Sequence, residues 1–183
     1  MNGTVPLVKS PSRLQDGHGR RFEYLRLSLT DVCNFRCSYC LPDGYRKATG
    51  VPSNLTVDEI RRLVSAFAEL GLWKVRLTGG EPTLRPEFLE IAAAVSVISG
   101  VRKIAVTTNG YRLAERAQSY ADAGIDAINI SMDSLKPDRF HAITGHDRLD
   151  EILRGIDACR AADIRSIKLN SVLLKGLDRK SVV

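Results

Sequence analysis

Cys33, Cys37 and Cys40 fall within eight residues of one another, while the fourth cysteine, Cys159, stands far away. The opening residues Met1 to Pro6 show no basic segment followed by an apolar one, so no secretory signal is expected. Cysteines in such a chain suit a metal or redox site better than a disulfide framework. Three soft thiolates from one short loop can hold three corners of a compact object, and a four-iron cluster is such an object, with Cys thiolates as its usual ligands. One iron is then left without a protein ligand, and an open position of that kind marks a catalytic metal centre, as it does for zinc. On the residues alone two alternatives stay open: plain structural thiols, and a zinc site, for which His18, His141 and His146 are poorly spaced. Cys159, on a predicted helix, reads as a small core residue.

The elements that must position this loop are legible from hydrophobic period. Tyr24 to Leu29 alternates as a strand and runs directly into the cysteine loop. Thr56 with Glu59 three residues on is a capping-box signature; Ile60, Leu63, Val64, Phe67 and Leu70 form the buried stripe of the helix it opens, and Gly71 ends that helix. Further strands are expected at residues 74–77, 103–108, 127–131 and 166–173, and further helices at 86–98, 113–123 and 149–162. Strand and helix alternating in this way imply right-handed βαβ units and an α/β fold with a parallel sheet, open or curled toward a barrel. The ligand site of such folds lies at the C-terminal ends of the strands. There the unusual residues gather: Thr30 and Asp31, Gly79-Gly80-Glu81, Thr107-Thr108-Asn109, Ser131 and Asp133, Lys168 and Asn170.

With 183 residues, 44% hydrophobic and 26% charged, the chain is about one globular domain, and disorder is excluded as its general state. The longest apolar run, 91–98, is far short of a spanning helix, so no membrane partner is expected. The formal charge of +6 fits nucleic acid or a polyphosphate ligand equally, but no run of like charge and no basic patch interleaved with aromatic residues supports nucleic acid. The first twenty residues, with Pro6, Pro11, Gly17 and Gly19, read as a flexible arm, leaving 21–183 as the core.

Cys-x3-Cys-x2-Cys with Tyr39 just before the last cysteine resembles the signature of the radical S-adenosylmethionine (SAM) superfamily. Within it, the run from Leu25 through Thr30, Asp31 and Cys33 to Cys37 is similar to the GTP 3′,8-cyclase family of molybdenum cofactor biosynthesis. So are Val75 to Pro82, Thr107 to Gly110, Ile128 to Ser134 and Lys168 to Leu174, all arriving in family order. The resemblance implies a partial, TIM-like radical SAM barrel with a [4Fe–4S] cluster on Cys33, Cys37 and Cys40. It further implies that Tyr39, Gly80 and Ser131 contact SAM and that Arg26, Arg76, Thr107 and Lys168 bind GTP; from strand spacing, Lys74, two residues from Arg76, faces the same way and is an additional candidate. Each of these residues has a plainer reading: a tight turn at Gly79-Gly80, packing at Tyr39, a strand-end cap at Ser131, and internal salt bridges from Arg26, Arg76 or Lys168 to Glu81 or Asp133.

The reaction implied by the resemblance starts with one-electron cleavage of SAM to a 5′-deoxyadenosyl radical. That radical takes hydrogen from C3′ of GTP, and the ribose radical closes on C8 of guanine. The expected partners are GTP and an electron donor, with a homodimer as a further possibility, in a cytoplasmic protein that binds neither nucleic acid nor membrane. Two other readings are a radical SAM enzyme with a different substrate and a non-catalytic zinc- or nucleic-acid-binding module. Family members carry a C-terminal domain with a second cysteine triplet for another cluster, and no second triplet is present here. The expectation is therefore a truncated chain, with 179–183 a stub and an apolar sheet edge left at the fifth strand, holding the first cluster and SAM without cyclising GTP.

Overall fold

The computed structural model describes residues 13–47, 49–50 and 53–174. Five strands, β1 (Tyr24–Ser28), β2 (Lys74–Thr78), β3 (Lys103–Thr108), β4 (Ala127–Ser131) and β5 (Ser166–Asn170), form one parallel sheet in the order β1-β2-β3-β4-β5. Between them run α1 (Val57–Glu69), α2 (Phe88–Ser96), α3 (Leu113–Asp122), α4 (Pro137–Thr144) and α5 (Leu149–Ala161). Strand order equal to chain order means that every right-handed crossover steps the same way, so the helices stack on one face and the sheet curls as part of a barrel. A doubly wound sheet would reverse its order partway. This settles the choice left open between an open sheet and a barrel in favour of a partial barrel.

The sheet is two-sided because its strands alternate. Leu27, Val75, Leu77, Ile104, Val106, Ile128 and Ile130 are buried toward the helices, where they meet Ile60 and Val64 of α1, Ile91 and Val95 of α2, Leu113 of α3 and Ile152 of α5. Cys159 of α5 is fully buried in this layer, as a small core residue should be. The in-between positions carry Arg26, Lys74, Arg76, Lys103, Thr107, Asn129, Ser131 and Lys168, so the concave face is polar and basic. Burial falls away at β5, where Leu169 is 51% exposed, in keeping with the apolar edge expected there.

Element boundaries depart from expectation in three places. The expected helix at 86–98 starts later, at Phe88, because Pro82–Leu84 forms a separate 3-10 turn capped by Glu81. The fifth strand stops at Asn170 and not at 173, since Val172 N–H turns away to the Asp133 carboxylate (2.8 Å). Helix α4 was not anticipated at all; its signals are Pro137 in the first turn and Gly145 in the left-handed region (φ 74°) just past its end. Of the expected N-terminal arm, 1–12 lie outside the described residues, and so does the expected stub at 179–183. Residues 13–22 fold back as a turn, in which Leu14 N–H donates to the carbonyl of Leu70 (2.9 Å). No helix among the described residues is long and apolar enough to cross a membrane.

The capping box of α1 is formed as the sequence implied: Thr56 Oγ1 accepts from Glu59 N–H (3.2 Å), and Glu59 Oε2 accepts from Thr56 N–H (2.7 Å). The bond from the Thr56 backbone, then the one from its hydroxyl, hold the Glu59 carboxyl below its ordinary value of 4.5. A lowered carboxyl contributes stability above its unfolded pKa and loses it as pH falls through the folded one. Thr56→Ala should lower the thermal midpoint at pH 7 by about 2–4 °C, with the difference from wild type narrowing below about pH 4. Calorimetry at the two pH values checks it; a constant difference contradicts the assignment.

Candidate active site

The cysteine loop sits over the C-terminal ends of the strands and is gripped from several directions. From β2, Gly80 N–H donates to Thr30 O (2.8 Å) and Glu81 N–H to Val32 O (2.7 Å). A Cβ on Gly79 (φ 151°) would lie 2.3 Å from Thr30 O, and one on Gly80 2.4 Å from Val32 O. Only glycines let the two backbones approach this closely. The Gly-Gly pair thus has a structural task at the entry to the loop, beside the ligand contact expected of Gly80.

From β3, Asn109 donates its side-chain amide to Asn34 Oδ1 (2.9 Å). From β4, Asp133 accepts the Tyr39 hydroxyl (2.8 Å) on one oxygen and Val172 N–H on the other. From α4, the carbonyls of Thr144 and Ile143 accept from Arg36 N–H (3.1 Å) and Ser38 N–H (2.8 Å). Phe35, between two of the cysteines, is buried with its ring stacked on His146 (4.7 Å) and edge-on to Phe140 (6.3 Å). Asn34, Asn109, Asp133 and helix α4 therefore position the loop, and none was assigned that task from sequence.

Glu81 joins the strand ends below the loop. Its carboxylate is almost fully buried and accepts from Thr83 N–H (3.1 Å), Thr83 Oγ1 (2.6 Å), Thr108 Oγ1 (2.9 Å) and Asn109 N–H (2.6 Å). Burial pushes this carboxyl upward, while the Asn109 amide, the threonine hydroxyls and Thr83 N–H oppose the shift. Occupied in this way, Glu81 pairs with no cation of the concave face.

Cys33 and Cys37 are half-buried, Cys40 is exposed, and all are free thiols. Burial, reinforced by the Asp133 charge, pushes the Cys37 thiol up to about 11, and burial raises Cys33 as well. These thiols are protonated near neutrality, so loading metal releases protons. Among the described residues, no three His, Cys, Asp or Glu side chains are close enough to share a single metal ion. A polynuclear cluster offers each thiolate its own iron, so its ligands need not converge on one point, and an all-thiolate donor set suits iron–sulfur chemistry. The residues present fit such a cluster.

Below the rim lies the concave face. Arg26 and Arg76 are direct cross-strand neighbours, and Arg76 Nη1 donates to Thr107 Oγ1 (3.0 Å) while its Nε is buried without a partner. Lys168 is exposed two strands beyond Thr107, in register with Asn129 and one row below Ser131, not at the rim where the sequence placed it. Among the described residues, Arg26, Arg76 and Lys168 make no salt bridge to Glu81 or Asp133, both of which are committed elsewhere. Tyr39 is 43% exposed with its hydroxyl on Asp133, leaving its backbone available to a ligand. Gly80 is exposed, Ser131 is half-buried at the end of β4, and both border the space between loop and sheet.

Glu81→Gln keeps the shape but turns one acceptor oxygen into an N–H2 group that faces a donor. We expect a loss of about 1–3 kcal/mol in chemical denaturation and poorer iron retention after reconstitution, because Asn109 and Asn34 lose their anchor. Unchanged stability contradicts the role given to Glu81.

Comparison with known proteins adds the following. The Radical SAM superfamily matches residues 27–183. The GTP 3′,8-cyclase of Aeromonas hydrophila is 57% identical over 171 residues, covering 91% of this chain and 50% of the relative. That of Stenotrophomonas maltophilia strain K279a is 59% identical over 167 residues, covering 91% and 51%. The chain spans about half the length of the curated relatives it matches. Among solved structures, HydG, a maturase of the [FeFe]-hydrogenase, superposes with a TM-score of 0.66 at 20% identity over 85% of this chain and 35% of its own, a likeness of fold.

Proposed function

This chain belongs to the radical SAM superfamily, and we propose that it supplies the first-cluster, SAM and triphosphate sites of a GTP 3′,8-cyclase, the activity printed for relatives more than half identical to it, of which it spans about half. The observation that carries the reading is the stacking of a three-thiol loop directly above a concave sheet face whose cations Arg26, Arg76 and Lys168 have no carboxylate partner among the described residues. The first feature is built for a cluster and the second for a polyanion.

The cofactors are a [4Fe–4S] cluster and SAM. In this reading Cys33, Cys37 and Cys40 hold the cluster, whose chemistry when bound is the one-electron reductive cleavage of a sulfonium C–S bond. Gly80, the Tyr39 backbone and Ser131 orient SAM between the loop and the strand ends. Arg26, Arg76 and Lys168 neutralise the triphosphate with charge-assisted hydrogen bonds, and Thr107 fixes the Arg76 guanidinium at the right height. Holding the phosphates low on the sheet leaves the ribose above them, toward the loop, where its C3′ hydrogen can be taken. An external electron donor and a cytoplasmic setting belong to the same proposal, with homodimerisation as a further element.

GTP carrying deuterium at C3′, supplied with SAM and reductant without oxygen, should deliver that deuterium to 5′-deoxyadenosine, read by mass spectrometry. Arg76→Ala should weaken GTP binding by about tenfold or more. GTP that fails to bind, or 5′-deoxyadenosine that is labelled only from another deuterated nucleotide, overturns the reading.

A further inference from the structure

The register of the sheet places like charges side by side. Arg26 is the cross-strand neighbour of Arg76, and one row nearer the N-terminal end of the strands Lys74 is the neighbour of Lys103. All four stand on the concave face, because each is separated from the next on its strand by one helix-facing residue or matches such a residue in register. Like charges directly opposite one another destabilise a sheet, so two such pairs in succession call for a counter-charge. Among the described residues none of these cations has a carboxylate within ion-pair distance. The nearest relief is the Tyr24 ring, 4.8 Å from Lys74 Nζ and 5.8 Å from the Arg76 guanidinium carbon.

We propose that Lys103 is a further binding residue for the substrate's polyphosphate, forming with Lys74 a second row of cations beneath the Arg26–Arg76 row, and that the face thereby measures phosphate-chain length. The inference rests on the nucleotide triphosphate reading above and assigns the reach of that same site. Two rows on parallel strands are two residues, or about 6.6 Å, apart. One phosphate group can meet a single row, whereas a chain of three can bridge both. Lys74 and Lys103 are half-buried, and register puts both on the concave face of the sheet. Burial lowers the Lys74 pKa, and the charges of Arg76, Lys103 and Lys168 lower it further. Tyr24, at the same level on β1, acts as a positioning residue that holds Lys74 and Arg76 over its ring face.

The test is Lys103→Met, which keeps the aliphatic stem and removes the charge, with Lys103→Arg as the rescue variant. Calorimetry on the oxygen-free, cluster-loaded chain compares GTP, GMP and inorganic tripolyphosphate. We expect Lys103→Met to weaken GTP and tripolyphosphate by about tenfold and GMP by no more than about twofold, with Lys103→Arg near wild type. Ligand-free Lys103→Met should melt slightly higher than wild type, since a like-charge pair has been removed. This opposite movement of stability and affinity is one that a merely structural lysine would not give. Unchanged tripolyphosphate affinity, an equal loss for GMP, or a lower ligand-free melting temperature overturns the assignment. Tripolyphosphate that binds through Lys103 while GTP does not bind sustains this inference and removes the nucleotide reading instead.

Discussion

A loop that must present three thiols to one object cannot be held by its own short-range hydrogen bonds. Within the cysteine-bearing turn, Cys40 and Leu41 donate to the Cys37 carbonyl and the Phe35 backbone to Cys33. Everything else that shapes it comes from elsewhere: the Gly79-Gly80 backbone, Asn109, Asp133 and the last carbonyls of α4. These groups sit at the ends of successive strands, so the loop is correctly shaped only when the sheet is assembled. Glu81, next to Gly80 in the chain, links the β2 and β3 anchors by accepting from Asn109 N–H. Its burial would be costly if any of its four donors were missing, which ties the stability of the seam to the shape of the loop above it.

The same sheet solves a second problem through its alternation. One face supplies the apolar layer that pays for folding, and the other carries Arg26, Arg76, Lys74 and Lys103 without a carboxylate partner among the described residues. Placing Arg26 beside Arg76 and Lys74 beside Lys103 sets like charges side by side, which costs stability in a sheet. Ala105 and Ala127 continue the Arg26–Arg76 row across the sheet, and both are buried although they belong to the concave face. Selectivity for an extended anion follows from geometry along the strands, while the choice of base is not a property of this face.

Much of this was legible in the sequence because it rests on local period. The five strands were placed from short apolar runs between helical segments, α1 from its capping box, and Cys159 from its place on a predicted helix. The parity of Arg26, Arg76 and Lys168 could be read from strand spacing, but their shared lack of acidic partners could not, because Glu81 and Asp133 were equally plausible neighbours until their real partners, Thr83, Thr108 and Asn109 for one and Tyr39 and Val172 for the other, were in view. Helix α4 escaped notice because its eight residues carry no strong apolar stripe, only a proline at the start and a glycine at the end. Lys103 escaped for a different reason: one lysine at the start of a strand is unremarkable, and its meaning appears only when register sets it against Lys74.

The central claim is that the three thiols hold a polynuclear cluster with one iron open to SAM. Electron paramagnetic resonance of the oxygen-free, iron- and sulfide-reconstituted, reduced chain, paired with metal analysis, addresses this most directly. The account predicts about four iron atoms per chain and a resonance that changes shape when SAM is added, both lost when Cys37 is replaced by alanine. A single bound zinc, or an iron signal indifferent to SAM and to the loss of Cys37, would contradict it.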